Sequence, residues 1–125
     1  MRNISASLTK KQFYQSVELV RRGLAPVKDV TRRNGWRNLK VGERLHVCEK
    51  CQGLKKGEKP VKICVIEVVK ATREPLNDIV LHADDCAREG FPKFNGRQFV
   101  EFFCMTHKNC TPETEITRIE FKYIV

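Results

Sequence analysis

The chain has 125 residues, of which 41% are hydrophobic and 31% are charged, and its formal net charge at pH 7 is +9. This length suits one domain with a single core, so we expect residues 1–125 to form one domain. No stretch approaches the roughly 20 apolar residues that cross a membrane. Residues 1–11 also lack the apolar run of a signal peptide. The composition therefore predicts a soluble, cytoplasmic protein and argues against a membrane-spanning one.

The positive charge is concentrated at the start of the chain. Residues 1–40 hold ten Lys or Arg and only two acidic residues, whereas residues 41–125 are close to neutral. Such a cluster is typical of proteins that bind phosphate-bearing partners. It is also typical of a basic surface that only keeps a protein soluble. The segment "VKDVTRRNGW", residues 27–36, lies within this basic third, and its charge alone leaves both interpretations open.

The first third of the chain predicts one strand and one helix. "RNISASL" alternates loosely and predicts a short strand, and residues 10–22 predict an amphipathic helix because their apolar side chains recur at helical spacing. Thr9 and Gln12 have the spacing of a capping box at the start of that helix. Gly23 is placed to end it in the left-handed conformation. We expect residues 24–42 to be a loop.

The remaining segments predict three strands and two helices. "ERLHVCEK" and "KPVKICVIEVVKATRE" are joined by the Gly- and Lys-rich "GLKKGEK", which predicts a hairpin. After Pro75 the pattern becomes helical through "LNDIVLHADDCAREGF", and "GRQFVEFFCMTHK" predicts a second helix with its phenylalanines on the buried side. "TEITRIEFKYIV" alternates and predicts a closing strand. This order predicts an α+β domain, with a small, mostly antiparallel sheet curled into a β-barrel and flanked by helices.

The six cysteines allow two interpretations. In a chain without a secretory signal, reduced thiols are more common than a disulfide framework. Cys48 and Cys51 have the spacing of a metal knuckle, and "CMTHKNC" offers Cys104, His107 and Cys110 as a second half-site. No second Cys-x-x-Cys pair accompanies the first one. We therefore expect no metal and no other cofactor, although the sequence leaves the role of these side chains open.

The basic segment carries a family resemblance. "GLAPVKDVTRRNGW" resembles the signature of the ASCH domain, of the PUA-like superfamily, in which a glycine precedes Lys-x-x-Thr-x-Arg; Lys28, Thr31 and Arg33 match these three positions. "NLKVGERL", "CEKCQGLKKGEK", "REGF" and "RIEF" are similar to segments of phage and prophage ASCH proteins. The loop between Gly23 and Lys28 is three residues longer than in that family. The resemblance covers essentially the whole chain and implies a PUA-like barrel.

The resemblance also implies a catalytic triad. Small bacterial ASCH members are amidohydrolases that act on N4-acetylcytidine through a Lys, a Thr and a Glu, which implies Lys28, Thr31 and Glu89 here. Elementary electrostatics suits this assignment, because burial and the neighbouring Arg32 and Arg33 would lower the pKa of Lys28. A neutral lysine can accept a proton from a threonine hydroxyl or from water. Each of the three also has a structural explanation, as a turn, phosphate-binding or helix-end residue.

Further basic and aromatic residues complete the predicted binding surface. Trp36 could stack on a base, or it could close the open end of the barrel. We expect the nucleic acid or substrate to be bound by Arg22, Arg32, Arg33, Trp36, Arg37, Lys55 and Lys56.

The sequence therefore leaves three functions open. The first is an enzyme that hydrolyses an acylated nucleoside such as N4-acetylcytidine. The second is a PUA-like module that binds RNA without catalysis, and the third is a phage-encoded protein that docks on a host complex through its basic face. We expect a monomer whose partner is RNA or a modified nucleoside.

Overall fold

The sheet of this α+β fold consists of five strands in the order β1-β3-β4-β5-β2. The computed structural model describes residues 1–125 apart from the side chain of Ser7. Its strands and α-helices are β1 (Arg2–Ser5), α1 (Lys10–Arg21), β2 (Val30–Arg33), β3 (Arg44–Cys48), β4 (Lys62–Pro75), α2 (Asp85–Arg88), α3 (Gly96–Thr106) and β5 (Glu115–Ile124). A 3-10 helix, Leu76–Leu81, follows β4.

The predicted closed, mostly antiparallel barrel is wrong. Strand β1 pairs in parallel with β3, whereas β3–β4, β4–β5 and β2–β5 are antiparallel, so the sheet is mixed. A parallel pair needs a crossover connection, which α1 and β2 provide between β1 and β3. The sheet curls into a half-barrel, and its edges are formed by β1 and β2, each of only four residues. These short strands lie at opposite ends of the strand order and do not pair with each other.

The predicted loop over residues 24–42 contains a strand. Each residue of β2, Val30–Arg33, pairs with a residue of β5. Three of the four residues are polar or charged, so the apolar alternation by which strands are recognised is absent. The side chains of Thr31 and Arg32 are nevertheless buried. Ionic and polar partners, described below, take the place of apolar packing around them.

Helix α1 lies where it was predicted, but its first turn differs. Thr9 occupies the N-cap position without capping the helix, and its Oγ1 donates to the carbonyl of Ala6 over 2.7 Å. Gln12 Nε2 donates instead to the carbonyl of Gly90, 3.2 Å away, so the predicted capping box is wrong. Gly23 has φ 75°, which confirms the left-handed end of the helix. The capping box of this fold belongs to α3, where Asn95 and Gln98 cap each other.

Strand β5 contributes to two separate hydrophobic clusters. Ile119, Phe121 and Tyr123 pack with Phe13 of α1 in the first cluster. Ile116 packs in the second cluster, with the phenylalanines of α3 and the 3-10 helix. This explains why the sequence alternation of β5 changes phase after Ile116. None of the helices formed by the described residues is both long enough and apolar enough to span a membrane.

Candidate functional site

The side chain of Lys28 is buried just before β2, with 1% of its surface exposed. Its backbone is held by α1 and β5, because its N–H donates to Ser16 Oγ over 3.2 Å and its carbonyl accepts from Tyr123 Oη over 2.6 Å. Lys28 Nζ donates to Glu89 Oε1 at 3.1 Å, and to the carbonyls of Glu89 at 2.7 Å and Val30 at 2.8 Å. A protonated amine has three N–H donors, and here each has an acceptor, which compensates for the loss of hydration.

The Lys28–Glu89 pair continues into a buried network of alternating charges. Arg32 Nη1 donates to Glu89 Oε2 over 3.0 Å, and Arg32 Nη2 donates to Asp85. Arg118 donates to both oxygens of Asp85, from Nε over 2.7 Å and from Nη2 over 3.0 Å. None of these five side chains is more than 7% exposed. If one partner is removed, the charge of the other remains buried without a counter-charge. The stability of each charged side chain therefore depends on its neighbours in the network.

Burial and charge act in opposite senses on the two ends of this network. At Lys28, burial lowers the pKa, Glu89 opposes that effect, and Arg33 adds to it by like-charge repulsion. At Asp85, burial alone would raise the pKa, but the hydrogen bonds from Arg118 and Arg32 outweigh it and lower the pKa to about 2. Asp85 is thus firmly ionised, whereas the charge of Lys28 is disfavoured relative to a lysine in water.

Thr31 is held by its own neighbour on β2. Its Oγ1 accepts a hydrogen bond from Arg33 Nε over 3.0 Å, and only 3% of Thr31 is exposed. Among the described residues, no hydrogen bond joins Thr31 to Lys28 or Glu89. No acceptor among these residues forms a hydrogen bond with the terminal nitrogens of Arg33. Burial lowers the pKa of Arg33, and Glu89 opposes that effect. Arg33 therefore orients the hydroxyl while its terminal nitrogens remain available to a ligand.

One cavity of about 60 Å³ brings the three predicted catalytic residues together. Lys28, Thr31 and Glu89 line it with Arg32 and Arg33, so three of these five side chains are cations and one is an acid. The volume is that of a few water molecules, so a whole nucleoside base enters only if side chains of the wall move outward. This arrangement suits an electron-rich or anionic group at the bottom of the cavity.

Aromatic side chains also line the cavity. The ring of Phe91 lies 5.2 Å from that of Phe102, and the ring of Phe103 stacks on His107 at 3.8 Å. His107 Nδ1 lies 2.8 Å from the carbonyl of Phe103, which turns its other nitrogen away from that bond. The helical spacing of the phenylalanines predicted their burial, but it did not predict that they face a polar site. The aromatic lining residues are Phe91, Phe99, Phe102, Phe103 and His107.

The other predicted binding residues lie outside this cavity. Trp36 packs against the first hydrophobic cluster, and the guanidinium of Arg2 lies 4.9 Å from the centre of its ring. None of the five remaining residues of that prediction lines the cavity, and all except Trp36 are exposed. They are Arg22, Trp36, Arg37, Lys55 and Lys56.

Sequence reasoning missed two members of the network, Asp85 and Arg118. Asp85 and Glu89 are four residues apart, a spacing that places two carboxylates on one face of a helical turn. This pair of carboxylates was the signal in the sequence that could have predicted buried basic partners such as Lys28 and Arg32. Arg118 gave no such signal, because a charged residue in an alternating strand is usually assigned to the solvent face.

The cysteines show no metal-binding arrangement. Among the described residues, no group of three or more His, Cys, Asp or Glu side chains is placed to hold a metal ion. Cys104 and Cys110 are close to each other, with their Sγ atoms 3.1 Å apart. The ring of His107, which lies between them in sequence, is instead stacked on Phe103.

A solved structure has a similar fold. No family model and no curated protein matches the chain. The crystal structure of protein EF3133 from Enterococcus faecalis V583, family DUF984, superposes with a TM-score of 0.53 at 14% identity, covering 96% of this chain and 74% of that one. The chain shares a fold with EF3133. At this identity the similarity concerns the fold alone.

Proposed function

We propose that the cavity binds an acylated nucleoside and hydrolyses the amide on its base, as in conversion of N4-acetylcytidine to cytidine and acetate. The observation that carries this proposal is that Lys28, Thr31 and Glu89 line one cavity, with Lys28 and Glu89 in direct contact. The aromatic wall supplies flat apolar surfaces against which a base can stack. The resemblance to ASCH amidohydrolases supports the same assignment.

The proposed reaction proceeds through an acyl-threonine. The hydroxyl oxygen of Thr31 attacks the amide carbon, and its proton passes through a water molecule in the cavity to the neutral amine of Lys28. The terminal nitrogens of Arg33 stabilise the negative oxygen of the tetrahedral intermediate. The carbon–nitrogen bond then breaks, and the leaving amine of the base takes the proton from Lys28. Lys28 then deprotonates a water molecule, which attacks the ester carbon. Lys28 returns this proton to the Thr31 oxygen as the ester bond breaks, and the acetic acid that leaves ionises to acetate.

Glu89 and Arg32 position Lys28, the general base of this reaction. Glu89 contacts Lys28 through both its carboxylate and its carbonyl, which holds the amine of Lys28 in place. Arg32 holds the other carboxylate oxygen of Glu89 at 3.0 Å. Burial lowers the pKa of Lys28, so the neutral form of its amine is more populated than that of a lysine in water at the same pH.

The test is to incubate the protein with N4-acetylcytidine and to follow cytidine by chromatography. We expect turnover by the natural sequence and by Lys70→Ala, which changes an exposed lysine of β4 outside the cavity. Lys28→Ala removes the proposed base, so its turnover should fall to background while circular dichroism shows whether it is folded. Equal activity of Lys28→Ala and the natural sequence, or no turnover of any acylated nucleoside, contradicts the proposal.

A second function is favoured by the hydrogen bonds of Lys28. All three donors of a protonated Lys28 have acceptors, which offsets part of the effect of burial on its pKa, and a lysine that keeps its proton cannot act as a base. The alternative is therefore a module that binds RNA without chemistry, with bases in the cavity and phosphates on the exposed cations. Arg22, Arg37, Lys55 and Lys56 are exposed and available for phosphate contacts.

Salt dependence tests this alternative. We expect the affinity for a single-stranded RNA to fall steeply with salt, because each phosphate contact releases a counterion. The double variant Lys55→Glu/Lys56→Glu should reduce the salt slope by about two if both lysines contact phosphate. Lys70→Glu serves as the control. It reverses one charge, where the double variant reverses two, and Lys70 is not one of the predicted RNA-binding residues. Binding that ignores ionic strength rules out this function.

A further inference from the structure

Two thiols meet where α3 ends. Cys104 lies in the last turns of the helix, Cys110 follows it in the segment that leads to β5, and their Sγ atoms are 3.1 Å apart. Both side chains pack against the second hydrophobic cluster. A disulfide requires about 2.05 Å between the sulfurs, so small rotations of the two side chains suffice to reach it.

We propose that Cys104 and Cys110 form a reversible dithiol–disulfide pair that fixes the rim of the cavity when oxidised. The closed loop contains Thr106 and His107, and both residues line the cavity. A bond between the two ends of this loop therefore restrains one side of the opening. The proposal concerns thiols outside the catalytic residues, so it does not depend on the reaction proposed above.

Both thiols are accessible to a small disulfide. They line a mostly apolar surface groove of about 520 Å³, together with Met105 and Pro112. Met105 is 86% exposed, so this groove is open to solvent. A glutathione-sized reagent can therefore reach the sulfurs without unfolding of α3.

The hydrogen bond between the thiols indicates which sulfur reacts first. Cys104 donates its S–H to Cys110 Sγ, and burial followed by the Cys110 interaction raises the pKa of Cys104 to about 11. Cys110, as the thiolate, attacks one sulfur of glutathione disulfide and releases a first glutathione thiolate. Cys104 then loses its proton and attacks Cys110 Sγ, which releases the second one. The two cysteines lose two electrons and two protons, and glutathione disulfide becomes two molecules of glutathione.

The other cysteines offer an internal comparison. Cys48 and Cys86 are buried, and burial raises the pKa of Cys64 to about 12. Thiols of this kind react slowly because little thiolate is present. Cys51 is half-buried and lies beside Cys48 in the turn after β3, so it is the appropriate cysteine for a control variant.

The experiment equilibrates the full chain with mixtures of reduced and oxidised glutathione, blocks free thiols, and maps peptides by mass spectrometry. We expect one disulfide, between Cys104 and Cys110, with no glutathione retained on either. In Cys104→Ser the second step is blocked, so glutathione should remain on Cys110. Cys51→Ser should form the same disulfide as the natural sequence. Free Cys104 and Cys110 in the most oxidising mixture, or pairing of either with another cysteine, overturns the proposal.

A measurement on the natural sequence does not depend on the folding of any variant. Closing a short loop restricts the unfolded chain, so the oxidised protein should melt about 5 °C above the reduced one. Faster exchange of the amides of residues 104–110 in the reduced form should accompany this difference. Identical melting and exchange in the two forms contradict the claim that the bond restrains the rim.

Discussion

Arg118 of β5 forms a bidentate ion pair with Asp85 of α2, in which Nε donates over 2.7 Å and Nη2 over 3.0 Å to the two carboxylate oxygens. Helix α2 has only four residues and buries little apolar surface, so packing alone does not fix its position. The ion pair joins α2 to the sheet, and Glu89 directly follows this helix. The position of the predicted catalytic carboxylate therefore depends on a charge pair that does not itself line the cavity.

Asp85→Asn should destabilise the protein by about 3 kcal/mol, because it removes the counter-charge that Arg32 and Arg118 share and leaves each of these buried guanidinium groups hydrogen-bonded to a single carboxylate, Glu89 or Glu120. Urea unfolding of the two proteins measures the difference. Asp84→Asn is the matched control, because this neighbouring carboxylate is exposed and makes no capping hydrogen bond. Its substitution should change the free energy of unfolding by no more than about 0.5 kcal/mol. Similar stabilities for the two variants would mean that the Asp85 pair contributes nothing to the fold.

Acid should weaken the fold through the same carboxylate. Hydrogen bonds from Arg118 and Arg32 outweigh burial and lower the pKa of Asp85 to about 2, from an ordinary value of 3.8. Because the pKa is lower in the folded state, the stabilisation is complete above about pH 4 and is lost as the pH falls towards about 2. The loss should amount to about 2 kcal/mol in urea unfolding. Asp85→Asn should lack this part of the acid dependence; an unchanged acid profile would assign it to other groups.

Most of the secondary structure could be predicted because it follows apolar periodicity. The predicted helices α1 and α3, the hairpin of β3 and β4, and the closing strand β5 all place apolar side chains in the two clusters. Strand β2 could not be predicted, because two of its three buried residues, Thr31 and Arg32, are polar or charged and the ionic partners of Arg32 are distant in sequence. Arg32 contacts Asp85 and Glu89, which follow it by 53 and 57 residues. Periodicity within a segment carries no information about such partners.

The candidate site was only partly predictable for the same reason. The spacing of the signature placed Lys28, Thr31 and Arg33 in one segment, and these side chains line the same cavity as Glu89. Trp36 lies in the same segment but packs against the first cluster, because the chain turns at Gly35 and Trp36, whose φ values are positive. A local backbone turn thus decides which residues of a basic segment face the cavity.

Thr31→Val should abolish turnover while leaving the fold intact. Valine has nearly the same shape and suits a strand, but it lacks the oxygen that accepts from Arg33 and that would attack the amide. We expect kcat/KM for N4-acetylcytidine to fall at least about a hundredfold, whereas Thr31→Ser retains part of the activity. Thr72→Val on β4, a half-buried threonine outside the cavity, is the matched control. Equal activity of the two valine variants would exclude the threonine as nucleophile.

Gly90→Ala should disturb the site from outside the cavity. Gly90 has φ +99°, and a Cβ there would lie 2.8 Å from Gln12 Cγ, so the Gln12 side chain or the backbone at Gly90 would have to shift. Gly23→Ala is the matched control, because Gly23 has φ +75° but nothing lies within 4 Å of its Cβ position. Both variants carry backbone strain of about 1 kcal/mol, and only Gly90→Ala adds the steric conflict.

The two alanine variants separate strain from displacement of Glu89. Because Glu89 binds Lys28 through its carbonyl as well as its carboxylate, a shift of the neighbouring residue should move both acceptors away from the amine. We expect kcat/KM for N4-acetylcytidine to fall in Gly90→Ala and to stay unchanged in Gly23→Ala. Urea unfolding should show a larger loss of stability for Gly90→Ala, and Gln12→Ala in that background should recover part of it. If Gly90→Ala behaves like Gly23→Ala in both measurements, the contact of Gly90 with α1 does not position Glu89.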